Sequence, residues 1–152
     1  METSNPIRGM ATVNFWADDV KAAREWYNNL LGITPYFERP DSDNPAYIEY
    51  RFGDFQHELG IIDRKFAPKE AHPGPGGIVL FWHVDNIEQT LERLISMGAR
   101  EYEPLTPREA GFITASVVDP FGNVLGIMYN PHYLQIVEST IKHEQAGAVG
   151  LK

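Results

Sequence analysis

The sequence predicts an α+β domain of two tandem βαβββ modules, a curved mixed sheet around a concave cup with helices on its outer face. Three observations carry this prediction. A strand–helix–three-strand pattern occurs twice along the 152 residues. A segment rich in proline and glycine, Arg64 to Gly77, separates the two occurrences. Short stretches also recur at one offset of 66 residues: Phe15-Trp16 as Phe81-Trp82, Leu59-Gly60-Ile61 as Leu125-Gly126-Ile127, and Gly32 as Gly98.

Module one spans about 9–63. Val13 to Trp16 has strand composition. Asp18 and Asp19 offer side-chain oxygens to a helix start, Val20, Ala23, Tyr27, Leu30 and Leu31 follow at helical spacing, and Gly32 supplies a left-handed cap. Three strands are expected next. Thr34 to Arg39 is the first, followed by a turn-rich loop from Pro40 to Pro45. Ala46 to Phe52 alternates, with Ile48 and Tyr50 on one face and Tyr47, Glu49 and Arg51 on the other. Gly53-Asp54 turns the chain into Phe55 to Ile62.

After the linker, module two covers about 78–131. Ile78 to Val84 is its first strand. Asp85, with Glu88 at capping-box spacing, is expected to start a helix whose buried stripe is Ile87, Leu91, Leu94 and Ile95 and which Gly98 ends. Arg100 to Pro104, Phe112 to Val118 and Asn123 to Tyr129 are strands, with Asp119-Pro120-Phe121-Gly122 as the last turn. The helices fit an offset of 67, pairing Val20 with Ile87 and Tyr27 with Leu94. A one-residue slip is therefore expected in the first strand or helix, and it matters because it reverses which side chains face the cup. The tail, 132–152, has a weak helical pattern at Leu134, Val137 and Ile141, suited to cover a sheet edge or a partner chain, and Gln145 to Gly150 should fray.

Composition narrows the function. Net charge is −8 and the 13 Lys and Arg are scattered, so nucleic-acid binding is not expected. No apolar run is long enough to span a membrane, and Met1 to Met10 lacks the basic start and apolar core of an export signal. Cysteine is absent, which removes disulfides, thiolate metal sites and a cysteine nucleophile and fits a cytoplasmic protein.

In order and spacing the chain resembles the vicinal oxygen chelate superfamily of glyoxalases, bleomycin-resistance proteins and extradiol dioxygenases. The resemblance runs from Gly9 to Pro131. It is carried by Asp19 with its helix through Trp26-Tyr27 to Leu31-Gly32, by Met97-Gly98-Ala99, and by Asp119-Pro120-Phe121-Gly122-Asn123. The resemblance implies a homodimer. In metal-dependent members it also implies a divalent ion acting as a Lewis acid. Carried over residue by residue, the ligand positions are Thr12, Val79 (or Ile78), Gly60 and Gly126, with Glu58 two residues from Gly60. Threonine, valine and glycine side chains do not chelate a hard dication, so no metal or other cofactor is expected.

The same carry-over implies the cup residues. Asn14, Trp16, Tyr47, Glu49, Arg51, Phe81 and Met128 are candidates for ligand binding, and Glu58 and His83 for acid–base work. The expected function is a metal-independent cup that binds or sequesters a small aromatic or cationic molecule. The alternative is an enzyme of the same superfamily, a lyase, isomerase, dioxygenase or metal-free acid–base catalyst, using Glu58 and His83. The paired glycines are expected to leave room for a ligand. The loop carrying Arg108, Glu109 and Gly111 is a candidate lid, and Trp26 and Tyr27 are expected in the core.

Overall fold

The first apolar run forms β1 (Thr12–Ala17), and Asp19 ends the turn after it by capping α1 (Val20–Leu31): its side chain accepts from the Ala22 N–H at 3.0 Å. Gly32, at φ 68°, closes the helix with its N–H on the Asn28 carbonyl. These features belong to a computed structural model that describes residues 6–149. The chain divides into two units, residues 1–69 and 70–152.

In unit one, β2 (Phe37–Arg39), β3 (Tyr47–Phe52) and β4 (His57–Asp63) join β1 in the order β1-β4-β3-β2, with β1 parallel to β4 and the other pairs antiparallel. Val20, Ala23 and Tyr27 of α1 are buried, as are Phe15, Ile48, Tyr50, Leu59 and Ile61 of the strands. Each such large side chain taken from water contributes ~1.5–3 kcal/mol. Tyr50 fixes the helix to the sheet, because its hydroxyl donates to the Arg24 carbonyl at 3.1 Å and lies 2.7 Å from the Asn28 amide. The face opposite α1 is therefore the one that carries Tyr47, Glu49 and Arg51.

Unit two repeats the plan with β5 (Phe81–His83), α2 (Ile87–Ser96), β6 (Arg100–Pro107), β7 (Ile113–Val118) and β8 (Val124–Tyr129), in the order β5-β8-β7-β6. Ile87 and Leu94 of α2 are buried, as are Ala115, Val117, Leu125 and Ile127 of the sheet. Asp119 organises the β7–β8 turn by accepting from the backbone N–H groups of Phe121 and Asn123. The last element, α3, is Pro131–Val149. No helix among the described residues is long and apolar enough to cross a membrane.

The architecture is α+β, with a four-stranded mixed sheet in each unit, in agreement with the two tandem βαβββ modules expected. Several boundaries move for local reasons. Of Thr34 to Arg39 only Phe37–Arg39 pairs as strand, because Pro35 has no N–H to give. The turn after β3 runs to Gln56, whose N–H reaches the Gly53 carbonyl, so β4 starts at His57. Of Ile78 to Val84 only Phe81–His83 pairs. Asp85 does not start α2. Asn86 does, its Oδ1 accepting from the Gln89 N–H at 3.0 Å, while Asp85 faces His83. β6 continues to Pro107 through two register irregularities. Gln145 to Val149 continue α3, while the rest of the tail expected to fray, including Gly150, and the first five residues of the N-terminal reading lie outside the described residues.

The register locates the slip in the repeat. Asn14 pairs with Gly60 in unit one, and Phe81 pairs with Gly126 in unit two. The offset is therefore 67 from the first strand through the helix, Asp19 and Asn86 included, and drops to 66 by Gly32 and Gly98. The missing residue is at the end of the shorter helix, α2, rather than in its start or in the strand before it. Phe81 is the counterpart of Asn14, and the sequence match of Phe15-Trp16 with Phe81-Trp82 does not reflect equivalent positions. Val79 and not Ile78 is the counterpart of Thr12.

Candidate functional site

Alternation along β1, β3 and β4 puts the chemistry of unit one on the sheet face away from α1. Thr12, Asn14 and Trp16 come from β1, Tyr47, Glu49 and Arg51 from β3, and Glu58, Gly60 and Ile62 from β4. The ladder aligns them: Glu58 lies between Thr12 and Arg51, Gly60 between Asn14 and Glu49, and Ile62 between Trp16 and Tyr47.

Glu49 is the centre of this face. It is only 9% exposed. Its Oε1 accepts from the Tyr36 hydroxyl at 2.5 Å, and its Oε2 accepts from the Tyr47 hydroxyl. Burial pushes its carboxyl up, but the hydrogen bonds from Tyr36 and Tyr47, the interaction with Glu58 and the charge of Arg51 outweigh that and hold it below the ordinary carboxylate value. The two phenols move the other way. Tyr36 is raised first by its bond to Glu49, and Tyr47 first by burial, so both remain donors.

A second pair stands beside it. Arg51 places Nε and Nη2 each 3.2 Å from Oε1 of Glu58, and the Thr12 hydroxyl donates to Oε2 at 3.0 Å. The Arg51 guanidinium also lies over the Tyr36 ring, 4.0 Å from its centroid. Phe37 is opposite Glu49 in the β2–β3 ladder, and its ring meets those of Tyr36 and Tyr47 at centroid distances of 6.4 and 6.2 Å. None of the ion pairs among the described residues engages Glu49.

The paired glycines have a tighter role than ligand access. A Cβ on Gly60 would meet Oδ1 of Asn14 and come within 2.9 Å of the Tyr47 ring. One on Gly126 would come within 2.7 Å of the Phe81 ring and 2.8 Å of the Leu80 carbonyl. Each glycine thus clears space for a side chain of the neighbouring strands.

Phe81, His83 and Met128 belong to unit two. His83 is bonded at both ring nitrogens: Nδ1 accepts from the Asn130 backbone N–H at 3.1 Å, and Nε2 lies 3.2 Å from Asp85 Oδ1. Since Nδ1 accepts there, the hydrogen of the neutral ring is on Nε2. The ring stacks on Tyr133 of α3 at 4.8 Å, with 13° between planes. His83 therefore fastens the first turn of α3 to the edge strand β5. Met128 is level with His83 in the ladder, and its sulfur lies 3.6 Å from the Asn130 amide nitrogen. The loop at Arg108 is tied to the sheet through Arg108 Nε and the Thr114 hydroxyl, 3.1 Å apart. Trp26 packs edge-on against the buried Tyr27.

Six of the nine candidates read from the sequence, Asn14, Trp16, Tyr47, Glu49, Arg51 and Glu58, share the unit-one face. The structure adds Tyr36 and Phe37, which sequence reasoning left unmarked inside an ordinary strand. Their signal is cross-strand, through pairing with Glu49, and no local pattern reveals it. It also adds Tyr133 and Asn130 around His83, and Ser116, which is fully buried with its hydroxyl unpartnered.

Comparison with known proteins agrees with this architecture. The model of the Glyoxalase/Bleomycin resistance protein/Dioxygenase superfamily matches residues 9–127. Among solved structures, a glyoxalase-related enzyme from Fulvimarina pelagi is similar at 22% identity and TM-score 0.64, over 82% of this chain and 90% of that one. A superfamily member from Sphaerobacter thermophilus is similar at 19% identity and TM-score 0.63, over 82% and 98%. A lactoylglutathione lyase from Agrobacterium tumefaciens is similar at 17% and TM-score 0.61, over 82% and 96%. At these identities the likeness concerns the fold alone. No curated protein sequence matches the chain.

Proposed function

This chain belongs to the Glyoxalase/Bleomycin resistance protein/Dioxygenase superfamily, and we propose that it binds a small aromatic or cationic molecule on the Glu49 face of unit one without a divalent metal. The observation that carries this reading is a nearly buried carboxylate among aromatic rings, bonded to two phenols and, among the described residues, in no ion pair. Pockets for small molecules combine apolar walls with a few placed polar groups in this way.

The donor set supports the metal-free part. A catalytic metal usually takes about three protein ligands. At the positions where metal-dependent relatives ligate, Val79, Gly60 and Gly126 bring no donor atom. Thr12 and Glu58 are bonded to each other, and the Arg51 guanidinium beside Glu58 opposes a second cation there. Among the described residues no three His, Asp or Glu gather as a metal group.

The enzymatic reading ranks second. In its favour, Asp85 stands beside His83 as an orienting carboxylate would. Against it, the other nitrogen of His83 is held by the Asn130 N–H, and both oxygens of Glu58 are occupied. Our reading includes a homodimer, for which Ile136 and Ile141 of α3 offer exposed apolar surface, and a cytoplasmic location, in keeping with the absence of cysteine.

Metal content of protein purified without added ions, followed by calorimetric titration with zinc, nickel, manganese and iron(II), tests the metal-free part. No stoichiometric metal and no specific heat are expected. Stoichiometric binding lost on Glu58→Gln or His83→Ala would favour the enzymatic reading.

A further inference from the structure

The face that carries Glu49 has an unequal charge count. Two carboxylates, Glu49 and Glu58, stand against one guanidinium, and that guanidinium is bonded to Glu58. Glu49 takes hydrogen bonds from Tyr36 and Tyr47, interacts with Glu58 and feels the Arg51 charge, but no ion pair among the described residues engages it directly. Those donors and the nearby Arg51 charge keep the nearly buried Glu49 in its ionised form, so the face presents a standing anion. The two phenols and the contact with Glu58 take up three of about four acceptor positions on its oxygens, so a position remains for a further N–H donor. The rings of Tyr36, Phe37 and Tyr47 stand around it, and rings favour cations over their faces. The molecule already shows a cation accommodated there, since the Arg51 guanidinium lies 4.0 Å from the Tyr36 centroid.

We propose that Glu49, framed by Tyr36, Phe37 and Tyr47, receives the protonated primary or secondary amine of a small monocation, and that Arg51 competes with it for the Tyr36 ring. This rests on the binding reading above and names the ligand class for it. The amine donates an N–H to a Glu49 oxygen, and its charge balances the face. A neutral isostere lacks the charge. A quaternary ammonium keeps the charge and the ring contact but has no N–H to give.

Three probes separate these terms when titrated calorimetrically into the full chain: 2-phenylethylammonium, its N,N,N-trimethyl analogue, and 2-phenylethanol. We expect the primary ammonium to bind about tenfold more tightly than the alcohol, a difference of ~1.4 kcal/mol, with the trimethyl analogue between them. Glu49→Gln should abolish the preference, so that the ammonium and the alcohol bind with equal affinity. Arg51→Met, at a half-exposed position, should tighten the ammonium roughly threefold to tenfold, on the scale of a cation–π contact. Equal affinity for ammonium and alcohol would overturn the amine assignment and leave the binding reading standing. So would a trimethyl analogue bound as tightly as the primary amine, or an Arg51→Met variant that binds the ammonium less tightly. No saturable binding of any probe, by protein with its normal unfolding transition, would overturn both readings.

Discussion

The two sheets have the same strand order and ladder, yet opposite characters on the face away from the helix. In unit one Glu58 pairs with Arg51, Glu49 with Gly60, and Tyr47 with Ile62. At the equivalent rungs of unit two Val124 pairs with Val118, Ser116 with Gly126, and Thr114 with Met128. Asn14 is matched by Phe81, and Trp16 by His83. Unit one thus gathers two carboxylates, a guanidinium and two phenols where unit two has small or apolar side chains and one buried, unpartnered hydroxyl. The backbone plan is held in common, including the glycine that clears space beside the first strand. The chemistry is confined to one copy, as expected when a site is grafted onto a fold rather than specified by it.

The largest effect should come from forcing unit-one chemistry onto unit two. Ser116→Glu places a carboxylate at the counterpart of Glu49, in a fully buried position whose neighbours Thr114 and Val118 replace Tyr47 and Arg51. An unpaired buried charge should cost about 4 kcal/mol or more in urea denaturation. A variant as stable as the parent would break the comparison, because unit two would then host a carboxylate unaided. The paired glycines give a smaller and sharper test. The added Cβ of Gly126→Ala meets a backbone carbonyl, Leu80, that already accepts the Gly126 N–H at 3.0 Å. That of Gly60→Ala meets side chains only, Asn14 and Tyr47. We expect a loss of about 2–3 kcal/mol for Gly126→Ala and about 1 kcal/mol for Gly60→Ala, within the range of overpacking. The reverse order would show that the Tyr47–Glu49 bond is stiffer than the β5 backbone.

Much of this was legible because it is periodic. The alternation of Ala46 to Phe52 placed Ile48 and Tyr50 against the helix and Glu49 on the other face, and Asp19 with Gly32 bounded α1 to the residue. Elements failed where one residue's hydrogen bonding decides the boundary. Asp85 and Asn86 are both competent caps, and the chain uses Asn86 because Asp85 is turned toward His83. The site was legible in its strands and hidden at its edge. Tyr36 joins through a backbone bond and a side-chain bond to Glu49, thirteen residues away, and no pattern within its own strand reports that pairing. His83 shows the converse. A histidine at a strand end reads as a proton carrier, but its neighbours at Asn130 and Tyr133 make it a fastening for α3, and those contacts come from a segment 47 residues on.

The smallest effect isolates Glu49 itself. Its carboxyl is held below its ordinary value of 4.5 in the folded chain. In the window just under that value, the unfolded chain binds a proton that the native chain refuses. Stability therefore rises with pH across the window, is fully present above 4.5, and is lost as pH falls through the folded value. Unit two has Ser116 at the same rung and contributes nothing to this limb. Urea midpoints of the parent and of Glu49→Gln, followed from pH 7 to pH 3, should differ most at neutral pH and converge as the acid limb is crossed. Curves that stay parallel would mean that the two phenols do not favour the ionised carboxylate. The contrast between the sheets would then lie in which groups stand on the face, and not in any preference of unit one for the ionised form of its carboxylate.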